Sequence, residues 1–130
     1  MRALVFICTA TAVVGLAGCS GGTTKVSTKS AGMEPGEVFW AKNKLAEQTE
    51  MPGEAQFRDF ELLELSNGDR VYCGEMNEIS RSGLAQGFVP FYMRRSGGDV
   101  KAVNWSSESA DFSSKKCQDA RNGALRINKV

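Results

Sequence analysis

Cys73-Gly74-Glu75-Met76-Asn77, followed by a hydroxyl at Ser80 and a guanidinium at Arg81, gathers more polar chemistry than any other stretch of this 130-residue chain. At a strand end Glu75 and Asn77 fall on one side, and a following loop with Ser80 and Arg81 would complete a carboxylate, amide and guanidinium set for a polar ligand or a partner. The plainer and preferred expectation is that Gly74 admits a bulge while Asn77 and Ser80 hydrogen-bond the loop backbone. Ser113-Ser114-Lys115-Lys116 has the S-x-x-K spacing of serine acylation, but the S-D-N and K-T-G elements that go with it are absent. Lys115 and Lys116 suit the C-terminal half of a helix, where the dipole favours cations. Glu54, Glu61, Glu64 and Glu75 offer carboxylates for glycoside hydrolysis, yet no spacing marks two of them as a pair.

Histidine is absent. That removes Ser-His and Cys-His nucleophile pairs and His-based zinc or iron sites. The sequence implies no metal, no small-molecule cofactor and no catalytic residue. Charge is close to balanced, with 16 Lys and Arg against 15 Asp and Glu, which gives nucleic-acid binding no electrostatic support. Along the chain, residues 34–64 hold eight acids and three bases, and residues 65–130 seven acids and ten bases, a pattern of complementary faces in one domain.

The elements that must position these residues are legible from periodicity. Glu34-Pro35-Gly36 opens a helical pattern to about Thr49, with Val38, Ala41 and Leu45 on one stripe and Trp40 expected mainly in the core; Met51-Pro52-Gly53 stops it. Gln56 to Leu65 reads as a strand whose alternation shifts phase near Leu62-Leu63, suggesting a bulge or bend. Asn67-Gly68 signals a type I′ hairpin turn into a second strand, Arg70 to Met76. Asn77 to Gln86 reads as a loop, Gly87 to Arg95 as a strand that Pro90 places at an edge or a bulge, and Val100 to Trp105 as a fourth strand. A helix follows from Ala110 to Asn122, ended by Gly123, and Leu125 and Ile127 alternate as in a short strand. The expected fold is α+β: an N-terminal helix, a four-stranded antiparallel meander and a C-terminal helix.

Ahead of this domain, Met1-Arg2 and the apolar run Ala3 to Gly15 have the form of a signal peptide, too short for a retained membrane span. Leu16-Ala17-Gly18-Cys19 resembles the lipobox of bacterial lipoproteins. The resemblance implies cleavage before Cys19, diacylglyceryl and acyl groups including palmitate on that residue, and anchoring at a membrane, each buried methylene contributing about 0.8 kcal/mol. Residues 1–18 would be removed, 19–33 would be the lipidated cysteine and a flexible Ser, Thr and Gly-rich tether of roughly 20 Å r.m.s. span, and 34–130 the single domain. Ser20 after the cysteine resembles the outer-membrane sorting signal, which implies an outer-membrane protein facing the periplasm.

With Cys8 discarded and Cys19 acylated, Cys73 and Cys117 remain of the four cysteines. In an oxidising envelope they are expected to form one disulfide, closing a loop of about 45 residues for roughly 4 kcal/mol. Pro52, Ala55, Phe57 and Arg58, then Val71, Cys73, Gly74, Glu75, Asn77, Gly83, Gly87, Phe88 and Phe91, resemble a family of small, exported, uncharacterised proteobacterial proteins. Its pattern is approximately P-x-x-A-x-F-R followed by V-x-C-G-E-x-N and G-F-x-x-F. Ser80 and Ala85 depart from it, where that family carries Asn and an aromatic. No activity comes with the resemblance.

The resulting expectation is a lipid-anchored, non-catalytic cell-envelope protein that binds an envelope protein or peptidoglycan. The alternatives are an inhibitor of a periplasmic or exogenous enzyme such as a lysozyme or protease, drawing on the glycine-bearing loop Ser80 to Gly87, and a carboxylate-dependent hydrolase. Cys19→Ala should abolish palmitate labelling and release or mislocalise the protein; labelling that survives the substitution refutes the anchor.

Overall fold

A computed structural model describes residues 23–128. The stretch read as a signal peptide and the acylated Cys19 lie outside the described residues. In chain order the elements are β1 (Thr23–Lys25), β2 (Thr28–Ser30), α1 (Pro35–Ala46), a 3-10 turn at Pro52–Glu54, β3 (Gln56–Leu65), β4 (Arg70–Ile79), β5 (Ala85–Ser96), β6 (Asp99–Trp105), α2 (Ala110–Arg121) and β7 (Arg126–Asn128). The fold is α+β with two helices, and Cys73 and Cys117 form a disulfide.

The sheet has five strands in the order β2-β3-β4-β5-β6, all antiparallel, where four were expected. The additional strand comes from the segment read as tether. Thr28 to Ser30 pairs with β3 from Leu65 back to Leu63, and Thr23 to Lys25 pairs with Arg126 to Asn128 of β7. Between the two short strands Val26 is 3% exposed, docked against Leu125 through its backbone N–H at 2.9 Å. Composition misses this because the segment is ordered by distant partners: backbone pairing to β3 and β7, burial of Val26 and the Thr28 hydroxyl on the Ala120 carbonyl.

Both faces of the sheet are covered, which explains consecutive buried residues in its strands. Leu62 and Tyr72 pack with Met76, Phe91 and Met93 beneath Ala41 and Leu45 of α1. Leu63 and Cys73 pack with Val71, Tyr92, Cys117 and Ala120 on the α2 side, joined by Val26, Leu125 and Ile127. Successive strand residues point to opposite faces, so Leu62-Leu63 and Tyr72-Cys73 each serve two cores. The Leu62-Leu63 pair therefore marks a doubly buried strand. The bulge lies earlier, between Arg58 and Glu61.

At that bulge Asp59 takes the left-handed conformation, φ +54°, which aspartate tolerates better than most side chains. On β4, between the partners of Arg58 and Glu61, stands Gly74, φ +149°, where a Cβ would lie 3.0 Å from the carbonyl oxygens of both Arg58 and Asp59 and 3.1 Å from Phe91. The glycine is thus dictated by backbone proximity. The β3-β4 connection is the four residues Ser66 to Asp69, in place of the expected type I′ turn: Gly68 alone among them has positive φ, and Asn67 Oδ1 accepts the Asp69 N–H at 3.0 Å.

The expected loop from Asn77 to Gln86 is much shorter, because β4 continues to Ile79 and β5 starts at Ala85. Pro90 sits in an interior strand, yet β6 ends opposite Phe91 at Trp105, so β5 has a neighbour on one side only at the proline. Gly74→Ala should destabilise the domain by about 2–4 kcal/mol through strained φ and carbonyl clash. Urea denaturation checks this, with Gly53→Ala, open on all sides, expected to be nearly neutral.

Candidate functional site

Of the four residues that could have formed a polar site, Asn77 and Ser80 serve the β4-β5 hairpin, as the plainer reading has it. Asn77, 5% exposed, donates from Nδ2 to Gln56 Oε1 at 3.1 Å and accepts the Gly87 N–H on Oδ1 at 2.9 Å. Ser80 Oγ accepts the Leu84 N–H at 3.2 Å and pairs with Ser82 Oγ at 2.8 Å. The Arg81 backbone N–H donates to Glu50 Oε2 at 3.3 Å, and its side chain lies in the exposed loop. Glu75 accepts from Arg58 Nε at 2.5 Å, and the Arg58 guanidinium lies 4.2 Å from the Phe88 ring centre. The bond to Glu75 raises the guanidinium pKa further above its ordinary value. Glu75 also lines a depression of about 290 Å³ with Asp59, Ser114 and Arg121. The four residues therefore divide between hairpin support and a charged ledge.

The other chemical candidates have structural occupations. Ser113 is fully buried and its hydroxyl donates to the Asn104 carbonyl at 3.1 Å, tying α2 to β6, while Lys116 Nζ donates to the Arg126 carbonyl at 3.5 Å. Glu61 accepts from Arg121 at 2.6 Å, and Glu64 lies between Lys29 at 3.9 Å and Arg70 at 3.6 Å. Among the described residues no group of three or more His, Cys, Asp and Glu is arranged to hold a metal, and no helix is long and apolar enough to cross a membrane.

Another recess lies on the other face, between α1 and the β5-β6 turn. It encloses about 300 Å³, the lower end of the range for ligand clefts. Trp40, Met93, Val100 and Val103 supply apolar walls, and Lys44, Glu47, Gln48 and Asp99 supply the polar rim. Trp40 is both core and contact, since it packs against the α1-side cluster while remaining half-buried in the recess. The Arg95 guanidinium lies 4.3 Å from its ring centre, and Tyr72 lies 6.2 Å from it on a tilted approach. Arg95 is itself held by the Gly97 carbonyl at 2.6 Å. The indole is therefore fixed in orientation before any ligand arrives.

Beneath it, the Tyr72 hydroxyl donates to Glu37 Oε1 at 2.8 Å, and Arg70 Nε approaches the same carboxylate oxygen at 3.5 Å. Burial is the main cause that pushes the Tyr72 pKa up to about 12, with Glu37 reinforcing it and Arg95 opposing it. Burial also raises Tyr92, against the nearby Arg94. Sequence reasoning left this recess unnoticed. Its one local signal was the α1 stripe Trp40, Lys44, Glu47, Gln48 at helical spacing; the opposing wall comes from residues more than forty positions away.

Compared with family models, with curated proteins and with solved structures, the chain matches none.

Neutral Tyr72 is favoured by the fold, so its contribution is complete below the ordinary value of 10 and fades as pH rises from 10 to about 12. Tyr72→Phe should remove the phenolate absorbance step near pH 12 and flatten the alkaline loss of stability measured by denaturant titration. A step that persists in the variant would contradict this.

Proposed function

We propose that this chain is a lipid-anchored, non-catalytic protein of the cell envelope, held through Cys19 at the outer membrane and facing the periplasm, which binds another envelope component in the Trp40 recess. The carrying observation is the immobilised indole. Trp40 packs against Arg95 and Tyr72 and lines a recess of mixed polarity, with Met93, Val100 and Val103 as its apolar side chains and charges of both signs. A ring held by its neighbours costs little entropy on binding, and the part of it that lines the recess can meet a sugar or an apolar peptide side chain. This supports an envelope protein segment or peptidoglycan as occupant, and the chain's near-neutral charge supports neither nucleic acid nor a charged small-molecule cofactor.

The occupant is held by side chains and not by strand addition. β6 is an edge strand, but it carries one extra residue between Val100 and Ala102, where exposed Lys101 lies. A bulge and a lysine on an edge both discourage backbone pairing.

Leu84 favours a second reading, that of an enzyme inhibitor. It is 65% exposed in a loop held by the Ser80 N–H to the Leu84 carbonyl at 2.9 Å and the Gly83 N–H to the Ser80 carbonyl at 2.8 Å. A firm loop presenting one apolar side chain suits insertion into an enzyme cleft.

Proximity labelling in the native host, with the anchor intact, separates these readings. Trp40→Ala and the rim variant Asp99→Lys, which leaves the core untouched, should each reduce recovery of the bound component about tenfold or more, while Leu84→Ala leaves it unchanged. The reverse pattern, together with lysozyme or protease activity that falls on titration with the wild-type domain, supports the inhibitor. Recovery indifferent to all three variants overturns the recess as the binding site.

A further inference from the structure

The segment following Cys19 is short before the fold begins. β1 starts at Thr23, four positions after Cys19. Four residues of chain reach at most about 14 Å, so an acylated Cys19 keeps the β1 end of the domain close to the headgroups. This inference rests on the anchored reading of Cys19, and concerns which face the anchor turns toward the lipid.

The surface around β1 is basic and carries an exposed aromatic. Lys25 of β1 is paired with Arg126 of β7, so the two exposed side chains stand on one face of that ribbon. Arg126 lines a groove of about 540 Å³ with Phe112, Lys115, Lys116, Asp119 and Ala124. Phe112 is 48% exposed, with Lys116 Nζ 5.5 Å from its ring centre. Around the Phe112 groove, Lys25, Lys115, Lys116 and Arg126 stand against two acids, Asp119, bridged to Lys115 at 3.3 Å, and Asp111, one helical turn before Lys115. The acids on the Ser114 and Arg121 side of α2 include Glu61, bridged to Arg121, Glu75, bridged to Arg58, and Asp59. The adjacent basic residues Arg94 and Arg95 are engaged elsewhere, Arg94 with Asp69 at 2.6 Å and Arg95 with Gly97 and Trp40.

We propose that the α2 and β1-β7 face is a docking surface for an anionic lipid bilayer, with Lys25, Lys115, Lys116 and Arg126 against the phosphates and Phe112 in the interfacial layer. Cationic side chains within a Debye length of an anionic membrane strengthen its hold by about fivefold each, and an aromatic ring settles at headgroup level. The face lies opposite α1, because Cys117 and Ala120 of α2 pack on the side of Cys73 while Ala41 and Leu45 of α1 pack on the side of Tyr72. Docking it on lipid turns the Trp40 recess away from the membrane.

Amine footprinting of the full lipidated protein tests this, read by mass spectrometry on vesicles of phosphatidylcholine alone and with about 30 mol% phosphatidylglycerol. On the anionic vesicles, acetylation of Lys25, Lys115 and Lys116 should slow about threefold or more relative to Lys42 and Lys44 of α1. Salt at about 0.5 M should reverse it, since screening then shortens to roughly 4 Å. Lys115→Glu with Lys116→Glu, on the outer side of α2, should abolish the protection of Lys25. Protein that floats with the vesicles but shows even labelling, or protection on α1, overturns the docking face and leaves the anchor standing. Protein that floats with neither vesicle refutes the anchor, and the orientation falls with it.

Discussion

Two adjacent residues of β4 fasten both helices to the sheet. Tyr72 points to one face and Cys73 to the other, as strand geometry requires. The Tyr72 hydroxyl donates to Glu37 of α1, and Cys73 is bonded to Cys117 of α2 with a sequence separation of 44. Everything else is arranged about this pair of attachments. The central strand carries them, its neighbours supply the two cores, and small residues such as Ala41 and Ala120 allow each helix a close approach.

The two attachments differ in kind, and the difference divides the labour of the faces. On the α2 side the covalent link, the buried Ser113 hydroxyl on the Asn104 carbonyl and the Thr28 hydroxyl on the Ala120 carbonyl leave the helix little freedom. That side suits a fixed platform. On the α1 side the ties are hydrogen bonds and aromatic contacts around Tyr72, Trp40 and Arg95, and a recess remains between helix and sheet.

The bulge on β3 explains most of the residues that looked like a signature. Asp59 takes up the extra residue, and Gly74 is required because two carbonyls and Phe91 crowd the place of its side chain. Phe57 meets Phe91 edge-on at 6.1 Å, Arg58 joins Glu75 and covers Phe88, and Asn77 holds the Gly87 N–H. These residues, spread over Phe57 to Phe91 in sequence, form one contiguous set in space. Their types follow from packing and hydrogen bonding at the bulge, without need of a substrate.

The sequence by itself determined the class of fold, the meander from β3 to β6, both helices to within a few residues and the cysteine pair, because these rest on local periodicity, turn residues and the count of available thiols. It also carried the plainer reading of Asn77 and Ser80 as loop supports. What it left open depended on contacts between distant segments. Thr28 to Ser30 becomes a strand only because Leu63 to Leu65 offers an unpaired edge, and Leu62-Leu63 signifies two cores only once a helix covers each face. The phase shift at Leu62-Leu63 does not locate the bulge, which lies between Arg58 and Glu61, since phase within one strand does not say which faces are buried. The recess at Trp40 and the basic face around Lys25 and Arg126 were decided by tertiary structure alone: each brings together side chains from opposite parts of the chain, and no local pattern records their meeting.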